Sequence, residues 1–311
     1  MSKIAFVFPG QGSQYVGMGN SFYEEFTESR EIFDIASEAL QLDMKKLCFE
    51  ENEQLNITEF TQPAILTATI ATLKALETVG IKPDVVAGLS LGEYSALVAN
   101  KTIDFRDAVK VVRARGKLMQ EAVPVGVGTM AAILGLPNET VEEVCKGING
   151  IVELANYNCP GQIVISGENE PVNKAVELLK EAGAKRALLL NVSGPFHSSL
   201  LQPAGDQLKE VLENVQFNNM VVPYIANTTA EYVNTIDDVK PLLIQQVYSS
   251  VKWEQSIIKM IENGVDTFIE IGPGKTLSGF IRKIDRHKTV INIDKSSDLK
   301  DLPEKLGGVI C

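Results

Sequence analysis

A chain of 311 residues, 45% hydrophobic and 22% charged, has the composition of a globular protein and can bury a sizeable core as one large domain or two ordinary ones. Its net charge of -11 argues against nucleic acid as a partner, because that needs a basic field to displace counterions from phosphates. No run of about 18 apolar residues occurs, and the apolar run after Lys3 stops at Pro9-Gly10, so neither a membrane span nor a secretory signal is expected and the protein reads as cytoplasmic. Cys48, Cys145, Cys159 and Cys311 are scattered and form no C-x-x-C pair, which is the pattern of reduced thiols and not of a metal site or disulfide framework.

In chain order, residues 3–8 (KIAFVF) read as a buried parallel strand closed by the turn formers Pro9-Gly10-Gln11-Gly12-Ser13. Helical spacing follows over 21–40 and 60–79, the latter stopped by Gly80 with Pro83 beyond. Asp84-Val85-Val86-Ala87-Gly88 is a short strand running into a helix over 91–99, and Asp104 can cap a helix that reaches about residue 122. Near 124–128 the rhythm changes: strand 129–134, helix 138–146, strands 151–156 and 161–166, helix 170–182 and strand 186–191. That order, β-α-β-β-α-β, is the ferredoxin-like unit and predicts a small domain over 126–191 inserted in a larger α/β domain made of 1–125 and 192–311. The larger domain resumes with a helix, a strand at 221–226, helices within 236–263, a strand at 267–271, a helix and a last strand.

Gly88-Leu89-Ser90-Leu91-Gly92 is a G-x-S-x-G run between a predicted strand and a predicted helix. A tight turn there pushes the Ser90 hydroxyl out of the sheet, and the helix that follows offers free N–H groups to an oxyanion. A nucleophilic serine needs a base, and the chain has only His197 and His287. His287 lies in the basic run Arg282–Lys288 and suits a solvated face, whereas His197 sits in an irregular Ser193-Gly194-Pro195-Phe196 turn that can present a side chain to a cleft. No acid is singled out between Ser90 and His197, so the pair reads as a dyad oriented by another acceptor. Two basic clusters, Lys185-Arg186 and the run from Lys275 to Lys288, are candidates for an anionic partner against solvated helix faces.

Nucleotide motifs fail on inspection. Gly272-Pro273-Gly274-Lys275-Thr276 ends like a phosphate loop, but Ile269 stands where its first glycine belongs. Gly10-x-Gly12 has Tyr15 at its third position, and Gly126-x-Gly128-x-x-Ala131 precedes a strand.

With these residues in place, the chain resembles the malonyl-CoA:acyl carrier protein transacylase family over nearly its whole length. The resemblance rests on Phe8 to Gln14, Gly88 to Tyr94, Arg115 to Gln120, Asn156-Tyr157-Asn158 with Pro160-Gly161-Gln162, Gly194 to His197, Gln246-Val247-Tyr248, and Glu270 to Gly274. It implies an α/β-hydrolase-like large domain with a ferredoxin-like insert, and a malonyl transfer from malonyl-CoA to the phosphopantetheine thiol of acyl carrier protein in fatty-acid synthesis. It further implies Ser90 as nucleophile, His197 as base, the backbone N–H groups of Gln11 and Leu91 as oxyanion donors, and the Gln246 carbonyl as the acceptor that orients His197. Arg115 matches the arginine that grips the malonyl carboxylate, a task suited to a planar guanidinium, while Arg113 on another helix face suits a surface ion pair. Met119, one turn after Arg115, is a candidate pocket-lining residue, and Phe196 matches the malonyl-selecting form of its motif. Asn156, Asn158 and Gln162 are candidate substrate contacts and Arg186 a candidate phosphate contact. Malonyl-CoA is then a substrate and no cofactor is resident, acyl carrier protein is the partner, and the protein is expected to be a monomer. Two alternatives stay open: a discrete acyltransferase serving a polyketide synthase, and a serine esterase or thioesterase. Leu89 stands where many relatives carry histidine, which does not touch the dyad.

Overall fold

The computed structural model describes residues 3–124, 126–192 and 194–306. Ten strands lie in two sheets: β1 (Lys3–Phe8), β2 (Val85–Gly88), β3 (Gly128–Leu134), β4 (Val152–Cys159), β5 (Gln162–Glu168), β6 (Arg186–Leu189), β7 (Tyr224–Ile225), β8 (Tyr232–Val233), β9 (Val265–Ile271) and β10 (Thr289–Ile293). The six-stranded sheet has the order β10-β9-β1-β2-β7-β8 and is parallel except for the β7–β8 pair. The four-stranded sheet, β4-β5-β3-β6, is antiparallel throughout, and its chain order with two helices is β-α-β-β-α-β. The fold is thus α/β, with a parallel sheet and a separate ferredoxin-like antiparallel sheet.

β1 is central because its sequence is apolar on both faces. Phe6 and Phe8 enter the cluster on one side and Ala5 and Val7 the cluster on the other. Burial of each phenylalanine contributes roughly 1.5–3 kcal/mol. The helix Thr58–Glu77 is buried along most of its length and packs on the helix Phe105–Glu121, whose Asp104 cap accepts the Arg106 N–H at 2.8 Å as expected. Strand order turns at β1, between β9 and β2, so a crevice opens beyond the carboxyl ends of β1 and β2, where α/β sheets bind ligands.

Several elements differ from the sequence expectation. The helical span 21–40 is two helices, Asn20–Glu25 and Thr27–Leu40, broken at Phe26, which is extended. Its aromatic side chain stays beside Phe22 across the break, so the apolar rhythm runs through it. The strand expected over 221–226 pairs only at Tyr224–Ile225, since Pro223 has no N–H to give and Val221 is exposed. A helix at Met44–Phe49, started by Asp43 capping the Lys46 N–H at 2.9 Å, had no counterpart in the sequence reading. The helices within 236–263 are Val239–Gln246 and Trp253–Glu262, and the chain between them crosses to the antiparallel sheet, where Val251 bridges Asn156.

No helix among the described residues is long and apolar enough to cross a membrane. Cys48, Cys145 and Cys159 are buried free thiols, and Cys311 lies outside the described residues.

Candidate active site

β2 ends at Gly88, and the chain turns through Leu89 and Ser90 into the helix Gly92–Ala99. Ser90 has φ 53°, a left-handed conformation that costs a non-glycine residue about 1–2 kcal/mol. The turn is tight enough that a Cβ on Gly88 would collide with the Gly92 carbonyl, and one on Gly92 with the Phe8 carbonyl. Only glycine fits at either position, which explains the G-x-S-x-G letters. His197 is the second strained residue of the site, at φ 58°, in a turn tied by the Ser198 hydroxyl donating to the Pro195 carbonyl at 2.7 Å.

The two turns bring Ser90 Oγ within 2.7 Å of His197 Nε2. His197 Nδ1 lies 2.8 Å from the Gln246 carbonyl, which can only accept. Nδ1 therefore carries the proton and Nε2 offers its lone pair to the serine hydroxyl, the tautomer a general base needs. Burial, followed by the nearby Arg115 charge, pushes the His197 pKa down to about 4, so its neutral form prevails above that pH.

Arg115, 1% exposed, completes the cluster. Its Nη1 donates to Gln62 Oε1 at 2.8 Å, and its Nη2 donates to Gln246 Oε1 at 2.8 Å and to Ser90 Oγ at 3.1 Å. A buried cation one hydrogen bond from the nucleophile is costly unless it has a partner, and burial lowers the Arg115 pKa. The arrangement is suited to an anionic substrate. Arg113, by contrast, pairs with Glu59 at 3.1 Å at the surface.

Other sequence candidates fall in place around this centre. Leu91 precedes the first helical turn and Gln11 follows β1; neither backbone N–H has an acceptor among the described residues, which leaves both able to donate to an oxyanion. The Gln11 side chain donates to Thr58 Oγ1 at 3.2 Å. Met119 is buried with its sulfur 3.8 Å from Gln62 Nε2, and Phe196 is buried in the same apolar cluster as Met119 and Leu91. Asn156, Asn158, Gln162 and Arg186 lie on the antiparallel sheet, outside the hydrogen-bonded cluster around Ser90. His197 also lines a cavity of about 370 Å³ together with Glu142, Cys145, Tyr157 and Tyr248. A larger cavity of about 490 Å³, lined by Thr229, Lys252 and Gln255 among others, holds no member of the dyad.

Three residues of the cluster escaped the sequence reading. Gln62 fixes Arg115 from the middle of the helix Thr58–Glu77. Asn227 accepts the Ser90 N–H at 2.6 Å and donates to the Gly88 carbonyl at 2.7 Å, holding the turn from both sides. Glu93, fully buried, accepts from Gln246 Nε2 at 2.7 Å; burial raises its pKa to about 7. Gln62 and Glu93 are buried polar groups whose need for a partner shows only once the fold has buried them, so the sequence carried no local signal for either.

The failed phosphate loop has a structural reason. Glu270 accepts the Leu277 and Ser278 N–H groups at 3.0 and 2.8 Å, so the amides a phosphate would use are already occupied. Among the described residues no group of three or more His, Cys, Asp or Glu side chains is disposed to hold a metal ion.

Comparison with known proteins agrees with this fold. Residues 5–292 match the acyl transferase domain family. Malonyl CoA-acyl carrier protein transacylase of Bacillus subtilis is 51% identical over 297 residues, covering 94% of each chain. The crystal structure of malonyl CoA-acyl carrier protein transacylase from Clostridium perfringens superposes with a TM-score of 0.95 at 50% identity, over 98% of both chains. A malonyl-transacylase solved with its type II PKS acyl-carrier protein gives a TM-score of 0.95 at 40% identity, over 97% of this chain and 99% of that one. The chain is an acyltransferase and belongs to the acyl transferase domain family, among the malonyl CoA-acyl carrier protein transacylases.

Proposed function

We propose that this chain moves a malonyl group from malonyl-CoA to the phosphopantetheine thiol of acyl carrier protein through an ester on Ser90. The observation that carries the substrate is the buried Arg115 guanidinium 3.1 Å from Ser90 Oγ, a carboxylate receptor beside a nucleophile. Ser90 Oγ attacks the thioester carbonyl while its proton passes to His197 Nε2, and the Gln246 carbonyl holds the imidazole from behind. The Gln11 and Leu91 amides receive the oxyanion, a donor of this kind being worth roughly 3 kcal/mol of transition-state stabilisation. Collapse breaks the carbon–sulfur bond, and the departing thiolate takes the proton from His197. The carrier's thiol then gives its proton to His197, attacks the seryl ester, and the proton returns to Ser90 Oγ.

Arg115 pairs with the free malonyl carboxylate, and Met119 and Phe196 supply the apolar wall. Coenzyme A enters as part of the substrate, with no resident cofactor in the scheme. The reading includes a monomer working in the cytoplasm, with residues 126–191 as an inserted ferredoxin-like domain and 1–125 with 192–311 as the catalytic domain. The separate apolar cluster of Ala131, Ile133, Val141, Ile163, Ile165 and Leu179 supports that division.

Incubation with malonyl-CoA alone should leave a malonyl ester on Ser90, found by mass spectrometry of the peptide. Addition of a carrier bearing phosphopantetheine should discharge it onto the thiol; release by water at the same rate would make the protein a thioesterase. The polyketide reading is supported by the PKS carrier seen with the solved neighbour. Carriers from the two pathways offered in competition decide it.

A further inference from the structure

Ser90-Leu91-Gly92-Glu93 has the S-x-x-E spacing of a helix capping box, in which the serine hydroxyl accepts the glutamate N–H and the glutamate carboxylate reaches back to the serine N–H. Neither exchange is made here. The Glu93 N–H donates to the Ser90 carbonyl at 3.1 Å instead of to the hydroxyl, which is left for His197. The Ser90 N–H donates to Asn227 Oδ1, so the Glu93 carboxylate is free of its capping task.

That carboxylate is instead a hub. Its Oε2 accepts from Gln246 Nε2 at 2.7 Å and from the Asn227 backbone N–H at 3.2 Å. Both partners in turn grip the main chain of the nucleophile: Gln246 Nε2 donates to the Ser90 carbonyl at 2.9 Å, and Asn227 Oδ1 takes the Ser90 N–H at 2.6 Å. Gln246 also holds His197 through its carbonyl and Arg115 through Oε1. One fully buried oxygen therefore links the strained serine, its base and the cation beside it. A left-handed serine persists only when its surroundings over-determine it, and these bonds are what do so.

We propose that Glu93 is a positioning residue of the active site, holding Gln246 and Asn227 so that together they fix Ser90, His197 and Arg115; this rests on Ser90 being the nucleophile. It stands one residue removed from where a triad acid would act, with Gln246 as the intermediary. The acid that no sequence signal singled out between Ser90 and His197 thus has a counterpart in Glu93, three residues after the serine.

The test is the rate at which a small fluorophosphonate labels Ser90 in the full chain, expressed per folded molecule by circular dichroism. Labelling of the parent at Ser90, absent in Ser90→Ala, establishes the nucleophile; labelling elsewhere would sink the function proposed above and not only the role of Glu93. Glu93→Ala should then label about 10–100-fold more slowly while folded, since buried donors left without their acceptor carry that range. Glu93→Gln, which keeps an accepting oxygen, should recover most of the loss. A folded Glu93→Ala that labels within about 3-fold of the parent overturns the inference, as does a Glu93→Gln no faster than the alanine variant. Should Glu93→Ala fail to fold, Glu93→Asp decides, because the shortened side chain withdraws its carboxylate from Gln246 Nε2 and the Asn227 N–H: slowing of about 10-fold supports the clamp, and parent-like labelling refutes it.

Discussion

The two sheets bury different kinds of residue. Behind the antiparallel sheet the cluster is wholly apolar, and its edge strand β6 leaves Leu188 and Leu189 about half exposed, at 53% and 52%. Beyond the parallel sheet, Gln62, Glu93, Arg115, Asn227 and Gln246 are buried together with the dyad, each held by hydrogen bonds to another member. One face of the antiparallel sheet packs on an apolar cluster, whereas the parallel sheet adjoins a polar cluster that is costly unless its groups are paired. The proposed chemistry belongs to the second, where burial weakens the screening of charges.

The sharpest way to break the comparison is to remove the dyad. Ser90→Ala or His197→Ala should cut malonyl transfer by on the order of 10³-fold or more with little change in melting temperature, read by steady-state transfer assays and calorimetry. Ile165→Ala in the antiparallel sheet should do the reverse, costing about 2–5 kcal/mol in urea denaturation while the folded fraction still acylates Ser90 at nearly the parent rate. If transfer per folded molecule fell with it, the two sheets would not be separable in this way. Arg115→Ala should lower kcat/KM for malonyl-CoA by about 10–150-fold and shift preference toward acetyl-CoA, measured by competition of the two thioesters.

The smallest effect is in pH dependence. With the His197 pKa held near 4, the free enzyme keeps its base neutral well below the usual imidazole range, so kcat/KM should stay level through pH 6 and fall only toward about 4. The stability linkage has two opposed signs. Between about 4 and 6.5 the unfolded chain binds the His197 proton and the folded one does not, so this residue's contribution is lost as pH falls through that window. Glu93, raised from 4.5 to about 7, favours the fold at low pH and loses that contribution as pH rises through about 7. Thermal denaturation of Glu93→Gln against the parent across pH 4–8 separates the two.

Much of this was legible in the sequence. The elbow around Ser90 and the choice of His197 over His287 followed from glycine spacing, turn formers and the scarcity of histidines, and the strand–helix order of 128–189 followed from periodicity. Arg115 was legible through the family resemblance, with its helix face setting it apart from Arg113, which the structure pairs with Glu59. The clamp was not. Asn227 meets Ser90 across 137 positions and Gln246 meets Glu93 across 153, and pairing at such distances leaves no local pattern. The helix break at Phe26 was blurred for a related reason, because apolar residues on either side feed one core.

Arg115 donates to the nucleophile's own oxygen and depresses the basicity of His197. A substrate carboxylate that pairs with Arg115 cancels that charge, so the imidazole becomes a stronger base at the moment a malonyl group arrives. A neutral acyl group leaves the charge standing and finds a weaker base. On the proposed roles of Arg115 and His197, selection of the acyl group would act through proton affinity as well as fit, and the acid limb of kcat should lie at higher pH than that of kcat/KM for malonyl-CoA and not for acetyl-CoA.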